Sequence, residues 1–330
     1  MIYYTDKPIA QLKIEKYPTL KNNWNFSIQK LQEYNTIFSD LDFENISVVL
    51  AGSYGRLEAS ENSDVDFLII VKDKVSQEEK NTIWEKVTKK FSSNNSIFPN
   101  PDGVFADIIS ITELEDNIGS KDDSLHLLAQ RMLLILETKV VYNEEIFNLA
   151  VQRILDKYLE LIKSESEKEA LFLMNDLIRY FREICVNYQY NFWRENEKWA
   201  LRNVKLRHSR IIMYAGTLLV ILNASTKENK FEYILEMIKL TPLERISLIY
   251  QENRNIGGME KVLTAYEIFL RKISSESIRN ELKLEYNQRL QSPHYMELKG
   301  SADLLRSELT EFIIDNRKKW SNKVFEYLIF

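Results

Sequence analysis

The alternation of hydrophobic and polar positions changes its period along the chain. Between Trp24 and Phe38, apolar residues recur at helical spacing (Phe26, Ile28, Leu31, Tyr34, Ile37), which predicts an amphipathic helix. Ile46–Ala51 and Val65–Val71 are short apolar runs rich in β-branched residues, separated by Gly52-Ser53 and a mostly polar stretch over Arg56–Ser63, and they read as two strands. Ser76–Phe91 returns to the helical period and opens with Ser76 and Glu79 at the spacing of a capping box. Ser92–Gly103, with Pro99 and Pro101, reads as a loop, and Val104–Ile111 as a third strand.

After Asp122 the period of about 3.6 takes over. Asp123–Glu137 is a helix and Val140–Tyr142 a short strand. Long helical candidates then follow at Glu144–Lys163, Glu167–Tyr190, Lys198–Leu222, Pro242–Asn253, Met259–Ile273, Ser277–Leu290 and Ser301–Tyr327, with breaks at Gly257-Gly258 and Ser292-Pro293. The expected fold class is α+β: a small mixed sheet with helices over residues 1–143, then an all-helical domain over 144–330.

Composition narrows this picture. A chain of 330 residues that is 45% hydrophobic can bury a large core, so disordered and low-complexity classes are excluded. Gly and Pro number only 8 and 6, too few for the turns of a large all-β fold. One Cys forbids an internal disulfide, and 3 His far apart (His126, His208, His294) give no zinc-site spacing. No apolar run reaches the roughly 20 residues that span a bilayer, and the start is polar within a few residues, so no membrane insertion and a cytoplasmic location are expected. With 44 basic and 49 acidic residues the net charge is −5, which disfavours a whole-surface nucleic-acid binder but leaves room for a local basic groove.

The candidate chemistry lies where the first strand stops: Gly52-Ser53-Tyr54-Gly55-Arg56-Leu57-Glu58, then Ser63-Asp64-Val65-Asp66. Residues two apart on a strand face one side, so Asp64 and Asp66 project together, about 7 Å apart along the backbone. Two carboxylates that close call for a cation between them, and Mg²⁺ takes a couple of carboxylates plus substrate phosphates. Asp107, a lone charge in an apolar strand, is the candidate third ligand, and three carboxylates suffice for two ions about 3.5–4 Å apart. Gly52 and Ser53 supply the complementary half, a turn whose backbone N–H groups and hydroxyl can cradle a phosphate. Gly52-Ser53 also reads as a plain turn, and Arg56 with Glu58 reads either as a nucleotide contact or as a salt bridge that stiffens the loop.

Apolar strand, Gly-Ser, spacer, Asp-x-Asp and a later strand carboxylate together resemble the DNA polymerase β-like nucleotidyltransferase superfamily over roughly residues 46–111. The words Gly-Ser-Tyr-Gly-Arg-x-Glu and Ser-Asp-Val-Asp are similar to the branch of the bacterial uridylyltransferase of the PII signalling protein, which more often has Gly-Gly at positions 52 and 53. The resemblance implies that Asp64 and Asp66 bind two Mg²⁺ (or Mn²⁺) ions, that Asp107 binds the catalytic ion and helps deprotonate the acceptor, and that the substrate is an NTP or dNTP. It also implies a helical domain that covers the nucleotide. There Lys205 and Ser209, one turn apart on a basic helix, are candidates for the β- and γ-phosphates, with Arg179 and Arg182 as competitors. A basic face that is merely solvated reads equally from the sequence.

The acceptor hydroxyl stays open: a growing nucleotide, a protein, a tRNA, a small molecule, or the chain's own Tyr327. Self-priming on a tyrosine resembles the Hailong-type nucleotidyltransferases of bacterial anti-phage defence, for which an effector protein encoded in the same operon is the expected partner. A nucleotide-sensing module without catalysis is the non-enzyme alternative.

Overall fold

Pro18 has no amide hydrogen to lose at a helix start, and α1 (Pro18–Phe38) begins there, ahead of the expected Trp24. The computed structural model describes residues 7–92, 105, 107–160, 170–194 and 198–329. Contacts divide the chain into two units, 1–7 with 23–166 and 8–22 with 167–330.

In the first unit α1 leads to β1 (Ile46–Leu50), the single helical turn α2 (Gly52–Gly55), β2 (Phe67–Val71) and α3 (Gln77–Ser92). β3 (Ile108–Ser110), α4 (Ile111–Asp116), α5 (Leu125–Leu136), β4 (Lys139–Tyr142) and α6 (Glu144–Glu160) follow. The sheet order is β3-β2-β1-β4. β1 pairs antiparallel with β2 and with β4, while β2 and β3 run parallel. Both central strands are buried along their whole length, which is why they read as apolar runs, broken only by Ser47, whose hydroxyl donates to Tyr142 O at 2.8 Å. Phe67 packs on Trp84 and Phe91 of α3, and Phe91 meets Tyr34 and Phe38 of α1, so one aromatic cluster joins sheet and helices. The capping box forms as expected, with Ser76 donating to Glu79 through both its N–H and its hydroxyl. A boundary at Asn143 would assign α6 to the helical half; instead α6 packs on β1, β2 and β4, with Ala150, Ile154 and Leu155 buried. The strand expected over Val104–Ile111 is described only as Ile108–Ser110, and most of the Ser92–Gly103 loop lies outside the described residues.

The second unit holds α7 (Leu171–Arg194), α8 (Trp199–Lys205), a π-helical turn over Leu206–Arg210, α9 (Ile211–Ala224), α10 (Lys230–Ile238) and α11 (Pro242–Glu252). It continues with α12 (Ile256–Ile273), α13 (Glu276–Glu281), α14 (Pro293–Asn316) and α15 (Asn322–Ile329). α9 is apolar on nearly every side and buried accordingly, packed on α7, α10 and α11. Gly257-Gly258 is no break, because Asn255 caps α12 and accepts from Gly258 N–H at 2.9 Å. Glu267 of α12 accepts from the first-turn amides of Thr19 and Leu20 (2.8 and 2.9 Å), so the start of α1 is capped from within this unit. Among the described residues, no helix is long and apolar enough to cross a membrane.

Candidate active site

The pairing of β1 with β2 continues one residue beyond the strands, where Ala51 N–H donates to Asp66 O at 2.8 Å. Gly52 then turns the chain with φ +60, a backbone conformation that glycine adopts without strain. A Cβ on Gly52 would stand 2.5 Å from Asp66 Oδ2, so the Asp66 carboxylate lies directly against the turn. Three residues on, a Cβ on Gly55 would stand 1.9 Å from Glu137 O, so the turn rests directly on the chain leaving α5. Gly55 is therefore fixed by close approach to a carbonyl, and Gly52 by its positive φ.

The loop that follows is held by buried charge. Arg56 Nε donates to Glu58 Oε2 at 2.8 Å, and its Nη1 donates to Glu137 Oε2. The three side chains are 7%, 2% and 0% exposed, so this is an interior ion network in which each charge depends on the others. Asn23 donates to Glu58 O at 3.1 Å, and Ala59 N–H donates to the Ser27 hydroxyl at 3.0 Å, tying the same loop to α1. Of the two sequence readings of Arg56, this geometry is the bridge that stiffens the loop. Glu137 was not identified from sequence; it is 81 residues away and reaches Arg56 only because α5 ends beside the turn.

Asp64 and Asp66 lie in the approach to β2, which begins at Phe67, with Val65 buried between them. Asp64 is exposed and Asp66 half-buried. Asp107 directly precedes β3. The parallel register pairs Ile69 with Ile108, which sets Leu68 opposite Asp107. Asp66 and Asp107 thus each stand one residue ahead of neighbouring parallel strands. Asp107 Oδ1 accepts from Ile108 N–H at 2.7 Å, and its Oδ2 stands 3.4 Å from His126 Nε2. Among the described residues, no group of three or more His, Cys, Asp or Glu side chains is gathered closely enough to hold a metal ion. The donor set nonetheless suits a hard divalent cation, since it is all carboxylate oxygen, and Asp64 and Asp107 have the exposure to turn toward a ligand.

Residues 31–104 match the nucleotidyltransferase domain family. The match takes in Gly52, Ser53, Asp64 and Asp66 and stops short of Asp107. No curated protein matches the chain.

The remaining candidates lie outside the nucleotidyltransferase domain match, in the helical unit, and the structure describes them there. Lys205 ends α8, and Ser209 lies in the π-helical turn. The Ser209 hydroxyl donates to Lys205 O at 3.0 Å, and His208 Nδ1 bonds Val204 O at 2.9 Å. A π turn shifts the backbone pairing by one residue, and these two side chains bond the carbonyls one turn back. His208 is fully buried and stacked on Phe269 with ring centroids 4.6 Å apart, and burial holds its pKa down at about 4. It is a neutral core histidine. Arg179 pairs with Asp176 at 2.6 Å, while Arg182 is exposed. Cys185 is half-buried and burial pushes its thiol pKa up, the opposite of what a nucleophile needs. The side chain of Tyr327 lies outside the described residues.

Proposed function

We propose that this chain is a metal-dependent nucleotidyltransferase that moves a nucleoside monophosphate from an NTP or dNTP to a hydroxyl acceptor. The acceptor oxygen attacks the α-phosphorus, the bond from that phosphorus to the bridging oxygen breaks, and pyrophosphate leaves with the electron pair. The hydroxyl proton passes to a carboxylate, for which Asp107 is the candidate. Gly52 and Ser53 present backbone N–H groups and a hydroxyl to the phosphates. Asp64, Asp66 and Asp107 would hold Mg²⁺ or Mn²⁺, whose charge offsets the negative charge that builds on the leaving group.

The observation that carries this reading is the seat of the Asp66 carboxylate on Gly52. The positive φ alone favours glycine here; what supports the reading is that an acid able to hold a cation lies beside the turn that would cradle a phosphate. Template-independent synthesis of a nucleotide oligomer in anti-phage defence is the setting we favour, by the motif resemblance, with Tyr327 as a candidate primer.

Purified protein incubated with each labelled NTP and dNTP and Mg²⁺ tests the reading. Pyrophosphate release is expected from at least one nucleotide, and Asp66→Ala should lower it by about 100–1,000-fold, the scale for losing one charge-stabilising group. Label that stays on the protein and disappears in Tyr327→Phe would identify self-priming. No release with any nucleotide, alone or with cell extract, would rule out the enzyme.

A further inference from the structure

At the end of the sheet away from Gly52, the first unit carries a cleft of about 620 Å³. It opens beside the Ile46–Val71 pair, four residue steps from the Leu50–Phe67 pair at the turn, or roughly 13 Å of strand. Its floor is apolar, with Ile46, Val71 and Ile83 buried and Phe43 half-buried. Its rim is acidic: Asp42, Glu44, Asp73 and Glu78 line it, and all four are exposed. Among the described residues none of these four enters an ion pair, while nearby cations are engaged elsewhere, Lys90 with Asp40, Lys74 with Glu113 and Arg153 with Glu115. Lys72 also lines the cleft, and Lys86 lies over the Phe43 ring, 4.8 Å from its centroid. The walls are pre-formed. Phe43 N–H donates to the Tyr142 hydroxyl at 3.1 Å, the Asn143 side chain donates to Glu44 O at 2.9 Å, and Lys72 N–H donates to Asn45 O at 3.0 Å. The Ser76–Glu79 box fixes the start of α3. A rigid cleft with an apolar floor and an acidic rim selects an aliphatic side chain flanked by cations.

The second unit displays that chemistry where α14 ends. Ile314 is 63% exposed, and Arg317 and Lys318, in the turn after the helix, are exposed as well. Neither cation enters an ion pair among the described residues. The corner is held from behind. The Asn316 side chain donates to Phe312 O at 2.9 Å, and Lys319 Nζ donates to Asn316 Oδ1 at 2.7 Å and to Asn253 Oδ1 at 3.1 Å. Trp320 is buried against Phe312, with ring centroids 6.1 Å apart. We propose that the acidic cleft of one copy receives the Ile314–Lys318 corner of a second copy. Ile314 lies over the apolar floor, and Arg317 and Lys318 face the carboxylates of the rim. The two surfaces differ, so two reciprocal contacts close a dimer and a single repeated contact builds a longer assembly. A corner of this size covers much less than the roughly 800 Å² per partner of a standard interface, so the association is weak and reversible. The inference needs only the fold and stands apart from the transferase reading.

Sedimentation velocity of the full chain tests this, over a range of concentrations at about 0.1 and about 1 M NaCl, between which the Debye length falls from about 10 to about 3 Å. At the lower salt the mean mass should rise above the 39.1 kDa of one chain as concentration increases, and at the higher salt it should return to that value. Glu44→Lys and Lys318→Glu should each weaken the association by about 10-fold or more, because like charges then meet. Both substitutions in one chain exchange the signs and should recover most of the wild-type association. Both positions are exposed, and circular dichroism checks that each variant keeps the fold. Should Glu44→Lys fail to fold, Asp42→Lys carries the same comparison. A monomer at every concentration overturns the proposal. So does self-association that persists unchanged at the higher salt or in both single variants, or that the paired exchange does not recover.

Discussion

Two polar stretches of this chain invite the same reading from sequence. Gly52–Glu58 follows a strand and Leu206–Arg210 interrupts a run of helix; each offers hydroxyls and cations to a phosphate. The structure treats them differently. Around Gly52 the interior charges of Arg56, Glu58 and Glu137 pair with one another, while Asp64 is exposed and Asp66 half-buried. In the helical turn the backbone widens, Ser209 and His208 bend back onto their own helix, and both are buried. Polar residue types in a motif do not decide whether their donors face a ligand. What decides it is whether the local backbone has already used them.

The largest expected effect tests whether the interior charges hold the first turn. Arg56→Ala removes the cation that the buried Glu58 and Glu137 share, and breaking such a network costs about 3–5 kcal/mol. Urea denaturation should show that loss. If instead Arg56→Ala is as stable as wild type and only nucleotide KM rises, Arg56 is a substrate contact and the two regions are more alike than their geometry implies.

His208 gives the second region its own signature. Its folded pKa of about 4 lies below the ordinary 6.5, because burial disfavours the charged ring. As pH falls the unfolded chain takes up this proton first, so acid drives unfolding between about 6.5 and 4. The contribution is fully present above that window and is lost downward through it at about 1.4 kcal/mol per pH unit, on the order of 3 kcal/mol in all. Ser301 shapes the site as well: its hydroxyl lies 3.2 Å from Nε2 and 2.7 Å from Ala265 O, one proton between two acceptors. Denaturation of wild type and His208→Gln at pH 7 and 4.5 should give curves that converge in acid. Parallel curves would mean that the ring is charged, or open to water, in the folded protein.

Most of the first region was legible in the sequence because its determinants are local. The short β-branched runs, the glycine turn, the Ser76–Glu79 box and the Asp-x-Asp word each need only neighbours in the chain. The contacts that complete it are not local. Glu137 reaches Arg56 across 81 residues, and His126 meets Asp107 only because α5 begins beside β3. The helical unit was legible as helix but not in its boundaries or its exceptions. Gly257-Gly258 reads as a stop until Asn255 is seen to cap just ahead of it. The widened turn at Leu206–Arg210 leaves no mark in the apolar period, and the partners His208 meets there, Phe269 and Ser301 of α14, are distant in sequence.

The finest separation of the two readings lies within the helical turn itself, between Lys205 and Ser209. A hydroxyl that already donates to Lys205 O has no second proton to give a phosphate, and its role is to bond a backbone carbonyl. Ser209→Ala should therefore change nucleotide KM by less than about twofold and stability by under about 1 kcal/mol, the net worth of one neutral hydrogen bond. Lys205→Ala, were that ammonium a phosphate contact, should raise KM by about 10–100-fold, the range for a hydrogen bond to a charged group. Steady-state kinetics with the preferred nucleotide measure both. A large Ser209 effect would require the hydroxyl to leave its carbonyl when nucleotide binds, and the widened turn would then be a site that rearranges around the triphosphate. A small effect from both residues would confine the phosphate chemistry to the strand-side turn, where glycine and aspartate already share one space.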